Sequence, residues 1–361
     1  MPTMAFWLRL CRPRKIRIPG REFRVKAGNR REFLCTIAAG VTAVPALATA
    51  LFSKSEPMLQ TVLGATALSK LNITLMHEHV LVDFVGADQV RRSRYNPEEV
   101  FKAVLPHLRR IRELGCRTLI ECTPAYLGRD PLLLKKLSEA SRINLVTNTG
   151  YYGAANYKYL PAHAHSESAE QLARRWTTEF EEGIEGSGIK PGLIKIGVNN
   201  GPLSDMDRKL ARAAAKAHRA TGLTIASHTG NGTAALEQMS ILKEEGVQAT
   251  AFIWVHAQNE SAHELQVRAI EQGAWLEFEG FGAASLEKQA QRLKTLIDLG
   301  YISRILISLD AGWYRVGEPG GGQFRSYAYF FTNLLPALRK IGVTEEQIQR
   351  LIRKNPREAL S

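Results

Sequence analysis

The chain has 361 residues, 45% hydrophobic and 23% charged, proportions ordinary for a globular enzyme and long enough for one large α/β domain or two average ones. A formal net charge of +13 invites a nucleic-acid partner, but the charge is lopsided. Residues 1–50 hold ten Lys or Arg against Glu22 and Glu32, a net +8, so the rest of the chain carries only +5 without a long basic run, and nucleic acid is not an expected partner.

The prefix has an order of its own. A basic stretch leads into Asn29-Arg30-Arg31-Glu32-Phe33-Leu34, then an apolar run over 35–48 that contains the small-residue pattern Ala46-Leu47-Ala48. Paired arginines before a hydrophobic region and an A-x-A site are the layout of a twin-arginine export signal, which predicts a removable segment at 1–50, a domain over 51–361, use of the twin-arginine machinery and a periplasmic address. The apolar run is shorter than the roughly 20 residues a bilayer-spanning helix needs, so no permanent span is expected. Removal of the prefix leaves Cys116 and Cys122, whose spacing fits neither a zinc knuckle nor a C-x-x-C redox pair; they read as small buried residues, with their pairing open.

Beyond Phe52, apolar β-branched runs recur about every 30 residues, separated by stretches of helical period. Strands are expected near 73–77, 118–122, 144–147, 193–197, 224–227, 251–255, 275–278 and 305–308. Helices are expected near 97–114, 131–141, 169–182, 205–220, 233–245, 262–271, 286–299 and 327–341, and a last one over 344–354 stops before Asn355-Pro356. Many of them end at a glycine, such as Gly115, Gly183, Gly222 and Gly246. Eight strand-then-helix units, with strands too apolar to face water on either side, predict a single-domain α/β fold, the (β/α)8 TIM barrel. A doubly wound open sheet lacks support, because no G-x-G-x-x-G follows the first strand.

Such barrels carry their chemistry at the C-terminal ends of the strands. Strand one ends in His77-Glu78-His79, strand four carries Lys195, and strands five, six and eight end at His228, His256 and Asp310. Residues at i and i+2 share a strand face, so His77 and His79 point together and Glu78 points away. Taken singly, each has a plain structural reading: half-buried strand histidines, a snorkelling lysine, a capping aspartate. Their joint placement on five strands is what points to a metal centre, since neutral imidazole and carboxylate are ligands for Zn²⁺ and related ions. An ammonium would be repelled by such cations, whereas a neutral lysine amine can add carbon dioxide and become an anionic carbamate able to bridge two metals. His107, His163, His165, His218 and His263 fall on helices or loops and are expected at the surface.

The segments TLMHEHV, LIKIG, ASHTG, WVHAQNE and SLDAGWY, in this order and spacing, resemble the phosphotriesterase family of the amidohydrolase superfamily over nearly the whole chain beyond the prefix. The resemblance implies that His77, His79 and Asp310 hold a more buried metal, that His228 and His256 hold a more exposed one, and that carboxylated Lys195 and a hydroxide bridge them. Zinc is the expected ion, with Mn, Co or Fe as alternatives. The bridging hydroxide would attack an ester or lactone carbonyl, or a phosphotriester, with Asp310 taking its proton; a homodimer is also implied. Tyr152 matches the tyrosine that lactonase-like members direct towards substrate, and Phe281 with the Gly-rich segment 317–325 would shape the acyl pocket. Asn259 stands where phosphotriesterases proper carry an acid, and Gly280 where family members place a histidine or arginine, which argues against a proton relay through those positions. The rival readings are an amidase or phosphodiesterase on the same metals, or a non-catalytic small-molecule-binding barrel.

Overall fold

The computed structural model describes residues 56–282 and 284–361. The twin-arginine pattern, the apolar run over 35–48 and Cys11 and Cys35 lie outside the described residues. A short antiparallel hairpin, β1 (Met58–Thr61) and β2 (Gly64–Ala67), precedes the barrel. The barrel strands follow: β3 (Ile73–Val82), β4 (Cys116–Glu121), β5 (Asn144–Val146) and β6 (Asn148–Thr149), β7 (Leu193–Val198), β8 (Ile225–Thr229), β9 (Phe252–Val255), β10 (Trp275–Phe278), and finally β11 (Ile305–Ile307) and β12 (Ala311–Arg315).

Hydrogen bonding joins β6 through β11 in one parallel run and β12, β3, β4 and β5 in another. The two runs are one ring, because β5 and β6 are a single barrel strand interrupted at Thr147, and β11 and β12 a single strand interrupted at residues 308–310. The ring is an eight-stranded parallel TIM barrel. It closes where strand eight changes partner: Ser308 N–H still donates to Phe278 O at 3.0 Å, while Asp310 N–H donates to His77 O at 3.0 Å.

Strand one is longer than expected. It continues past His79 to Val82 because β12 pairs with its outer half, from Ala311 opposite Glu78 to Arg315 opposite Val82. Its register against β4 slips between Leu75 and Glu78. Leu75 and Val80 pack in the outer core, Met76 packs inside the barrel, and His77 and His79 line the cavity at its mouth. A bulge of this kind re-aims a side chain at the cost of one ladder step.

The helices form the outer layer for reasons readable in the chain. In the helix Pro97–Glu113, Asn96 accepts from Glu98 N–H, and Val100, Val104, Leu108 and Ile111 fall on one buried face. Asp130, Ser168, Ser204, Asn231 and Thr344 cap later helices in the same way. A short helix at Ala162–Ser166 and the β1–β2 hairpin were not among the expected elements. The expected helix over 327–341 instead opens with a π turn, Phe330–Leu334, before Leu335–Lys340. The helical stretch after Thr344 does not stop at Asn355: it widens into a π turn at Arg350–Lys354 and resumes as Asn355–Ala359. In both places a proline, Pro336 or Pro356, lies just beyond the wide turn, which makes room for a ring that would otherwise crowd the carbonyl four residues back. No helix among the described residues is long and apolar enough to cross a membrane.

Candidate metal centre

Six predicted residues meet at the barrel mouth. His77, His79, Lys195, His228, His256 and Asp310 all line one cavity of about 180 Å³, as does Tyr152. His77 Nε2 and His79 Nε2 are 3.2 Å apart, and Asp310 Oδ1 lies 3.1 Å from His79 Nε2 and 3.9 Å from His77 Nε2. The rings of His228 and His256 stand 4.2 Å apart, and those of His77 and His256 5.4 Å.

Three of the imidazoles are held from behind. His79 Nδ1 contacts Thr123 Oγ1 at 2.8 Å, and Thr123 donates onward to Glu121 Oε1 at 2.5 Å. His256 Nδ1 is 2.5 Å from Glu279 Oε1. His77 Nδ1 lies 3.2 Å from Glu279 Oε2 and 3.6 Å from Glu277 Oε2. A neutral imidazole engaged at Nδ1, as His79 is by Thr123, keeps its free lone pair on Nε2, which is how a metal-binding histidine is oriented; His77 Nδ1 meets the two carboxylates at ion-pair distance without forming a hydrogen bond. Burial holds His79 down to about 4, and burial together with His256 and Lys195 holds His228 well below its ordinary value, so both rings are neutral at pH 7. Burial would raise the Asp310 and Glu279 carboxyls, but the histidines beside them win and keep both below the usual carboxylate range.

The residues fit a pair of divalent cations. Zn–N bonds of 2.0–2.1 Å in a tetrahedral site place two nitrogens about 3.3 Å apart, close to the 3.2 Å between His77 Nε2 and His79 Nε2. Asp310 Oδ1 is buried without a hydrogen-bond donor, and His77, His79 and Asp310 offer ligand atoms within 4.8 Å of one another. Lys195 is 1% exposed, yet no carboxylate among the described residues forms an ion pair with it. A buried, unpaired ammonium is costly.

Backbone conformation turns two of these side chains into the cavity. His256 and Asp310 both take positive φ, 65° and 55°, which turns them off their strands and into the mouth. Glu78 points away from the cavity, as expected, and its carboxylate accepts from Ser308 Oγ at 2.8 Å, Leu309 N–H at 3.1 Å and Ala311 N–H at 2.7 Å. It thereby satisfies the backbone on either side of Asp310, although burial pushes its own carboxyl up to about 8 against those bonds. Tyr327 O–H donates to His79 O at 2.6 Å from the far side.

The remaining predictions divide. Tyr152 O–H lies 3.1 Å from His228 Nδ1 and 3.2 Å from Nε2, and with Phe84, Tyr159, Leu127 and Trp313 it walls the cavity. Phe281 does not line this cavity; its ring is buried beside a neighbouring one of about 370 Å³ formed with Leu309, Phe324 and Tyr329. The Gly-rich segment also stays outside the metal cavity: Gly317 to Gly320 face Arg94 and Tyr95, and only its Arg325 end reaches the wall, 5.8 Å from the Trp313 ring. Asn259 is exposed and Gly280 lines no part of the mouth. Of the five histidines expected at the surface, only His165 is exposed. His107 stacks on Phe324 at 4.3 Å, and His163, His218 and His263 each engage a hydrogen-bond partner, so the other four are half-buried. Cys116 and Cys122 are buried and free.

Comparison with known proteins agrees with the fold. The Phosphotriesterase family model matches residues 57–360, and the chain belongs to that family, a family of hydrolases. It is 30% identical to the phosphotriesterase homology protein of Escherichia coli (strain K12), an alignment covering 78% of this chain and 96% of that one. It is 27% identical to the N-acetyltaurine hydrolase of Rattus norvegicus over 84% of this chain and 97% of that one. A solved triple mutant of organophosphorus hydrolase from Deinococcus radiodurans superposes with a TM-score of 0.76 at 26% identity, covering 85% of this chain and 98% of that one.

Proposed function

We propose that this chain is a binuclear metal-dependent hydrolase that cleaves an uncharged ester or lactone, with phosphotriesters as secondary substrates. The observation that carries this reading is the meeting of four imidazoles, Asp310 and unpaired Lys195 in one cavity whose other walls are apolar or aromatic. In this reading His77, His79 and Asp310 hold one ion, His228 and His256 the other, and carboxylated Lys195 both. A bound pair of divalent cations supplies an activated water as nucleophile and polarises the oxygen that gains charge.

The chain's own groups do the rest. Glu279 and the Thr123–Glu121 pair back His256 and His79 at Nδ1 and favour the Nδ1–H tautomer of those rings. Asp310 Oδ1, with no donor of its own, takes the proton released when the nucleophile adds and returns it to the leaving oxygen. Tyr152 O–H, beside His228, is placed to orient the substrate's carbonyl or ring oxygen. Apart from the ligand set, no Lys, Arg, Asp or Glu among the described residues lines the cavity, which favours a substrate without a carboxylate or sulfonate near the scissile bond.

An amidase is the second reading, favoured by the similarity to an N-acetyltaurine hydrolase. A substrate panel on zinc-loaded protein separates them: an aliphatic lactone, an aryl ester, paraoxon, a phosphodiester and an N-acyl amino acid. Turnover of the lactone and ester at rates well above the N-acyl compound is expected; turnover of the N-acyl compound alone overturns the ester reading. We further propose export through the twin-arginine route, which cell fractionation of a tagged full chain tests.

A further inference from the structure

One carboxylate touches imidazoles from both halves of the proposed centre. Glu279, just past β10, is fully buried and divides its two oxygens. Oε1 lies 2.5 Å from His256 Nδ1 and accepts from the His256 backbone N–H at 2.8 Å, while Oε2 lies 3.2 Å from His77 Nδ1, an ion-pair contact in which neither atom has another hydrogen-bond partner. His77 stands with His79 and Asp310; His256 stands against His228. Glu277, on the same strand face two residues earlier, reaches only His77, at 3.6 Å. Among the described residues, no other carboxylate backs an imidazole of each group through Nδ1.

We infer that Glu279 is a positioning residue that joins the two metal sites, so that the chain takes up divalent cations as a pair in a cooperative step. The inference rests on the two-metal reading above. An imidazole whose Nδ1–H is held by a carboxylate presents its Nε2 lone pair in one direction. The two oxygens of Glu279 belong to one rigid plane, so orienting that plane on His77 also sets the oxygen that faces His256. A cation that orders one ring leaves the other ordered for the second cation, and the coupling is reciprocal. A glutamine at this position would accept from one ring but turn an N–H₂ towards the other, which loses its partner. Glu277 touches one ring, so its effect stops at one site.

The experiment is a titration of chelator-stripped full chain with Zn²⁺ in competition with a chromophoric chelator. Wild-type protein should bind two equivalents in one steep step. Glu279→Gln should weaken both by about 10- to 100-fold and separate them into two steps, whereas Glu277→Gln should weaken one equivalent and spare the other. Two ions bound by Glu279→Gln with wild-type affinity and steepness overturn the inference, as does independent binding in the wild type. Wild-type protein that binds no ion overturns the two-metal reading instead. If Glu279→Gln fails to fold, ¹H–¹⁵N spectra of the zinc-loaded wild type decide: His77 and His256 should both carry the proton on Nδ1, and a proton on Nε2 of either ring sinks the proposal.

Discussion

A methyl group added at Gly197 would stand 2.8 Å from the Tyr152 ring, closer than carbon atoms pack. Gly197 lies two residues past Lys195 on the same strand, and Tyr152 lies across it in a parallel bridge. Gly197→Ala should therefore push the tyrosine off His228 while leaving the metal ligands in place. The expected result is a several-fold rise in KM with two ions still bound and a stability loss of about 1–3 kcal/mol from overpacking; an unchanged KM would show that Tyr152 does not face the substrate. Cys116 makes a separate prediction. Burial pushes its thiol from 9.0 up to about 12, so the folded chain keeps a proton that the unfolded chain releases above pH 9. Its contribution is complete below pH 9 and declines as pH rises towards 12, by about 1.4 kcal/mol per pH unit. Burial raises Cys122 in the same way, so urea melts at pH 8, 9.5 and 10.5 should show a steeper decline in the wild type than in Cys116→Ala, the difference being the contribution of Cys116. At this scale the six ligand-type residues were legible because chemistry of that kind is rarely affordable on buried strands. Glu279, Glu277, Glu121 and Thr123 were not singled out, although Glu277-x-Glu279 repeats the alternation of His77-x-His79. A carboxylate on an apolar strand announces that it has a partner without naming which one.

The break in strand eight is held by a single side chain from strand one. Glu78 accepts from Ser308, Leu309 and Ala311, and that leaves Asp310 free to turn into the mouth with positive φ. Glu78→Ala would strand two buried N–H groups at about 1–3 kcal/mol each, so denaturant unfolding should report a loss on the order of 2–5 kcal/mol. Loss of less than about 1 kcal/mol would mean that water or a neighbour replaces the carboxylate. Hydrophobic periodicity located all eight barrel strands and most helices, because caps such as Asn96 and Ser204 and terminal glycines mark where each helix begins and ends. It could not reveal the outer half of β3, whose pairing partner arrives more than 200 residues later. Nor could it show helices that pass a proline by widening into a π turn, since Pro356 reads as a stop until the carbonyls around it can be seen to make room.

For the molecule as a whole, buried carboxylates and an unpaired lysine at the barrel mouth tie stability to metal. Ions that bind only the folded chain stabilise it by about 4 kcal/mol when free metal stands at a thousand times its Kd. Chelation should lower Tm by on the order of ten degrees, and added Zn²⁺ with bicarbonate should restore it; a Tm indifferent to chelator would remove the metals from the account. Strand eight, at residues 305–315, is the last stave of the ring and also brings Asp310 to His77. A nascent chain therefore holds an open, half-zipped cylinder until residue 315 has left the ribosome. Any product truncated before that stave keeps its histidines but never acquires a mouth, so premature stops and late frameshifts should yield aggregating chains rather than weakened enzymes.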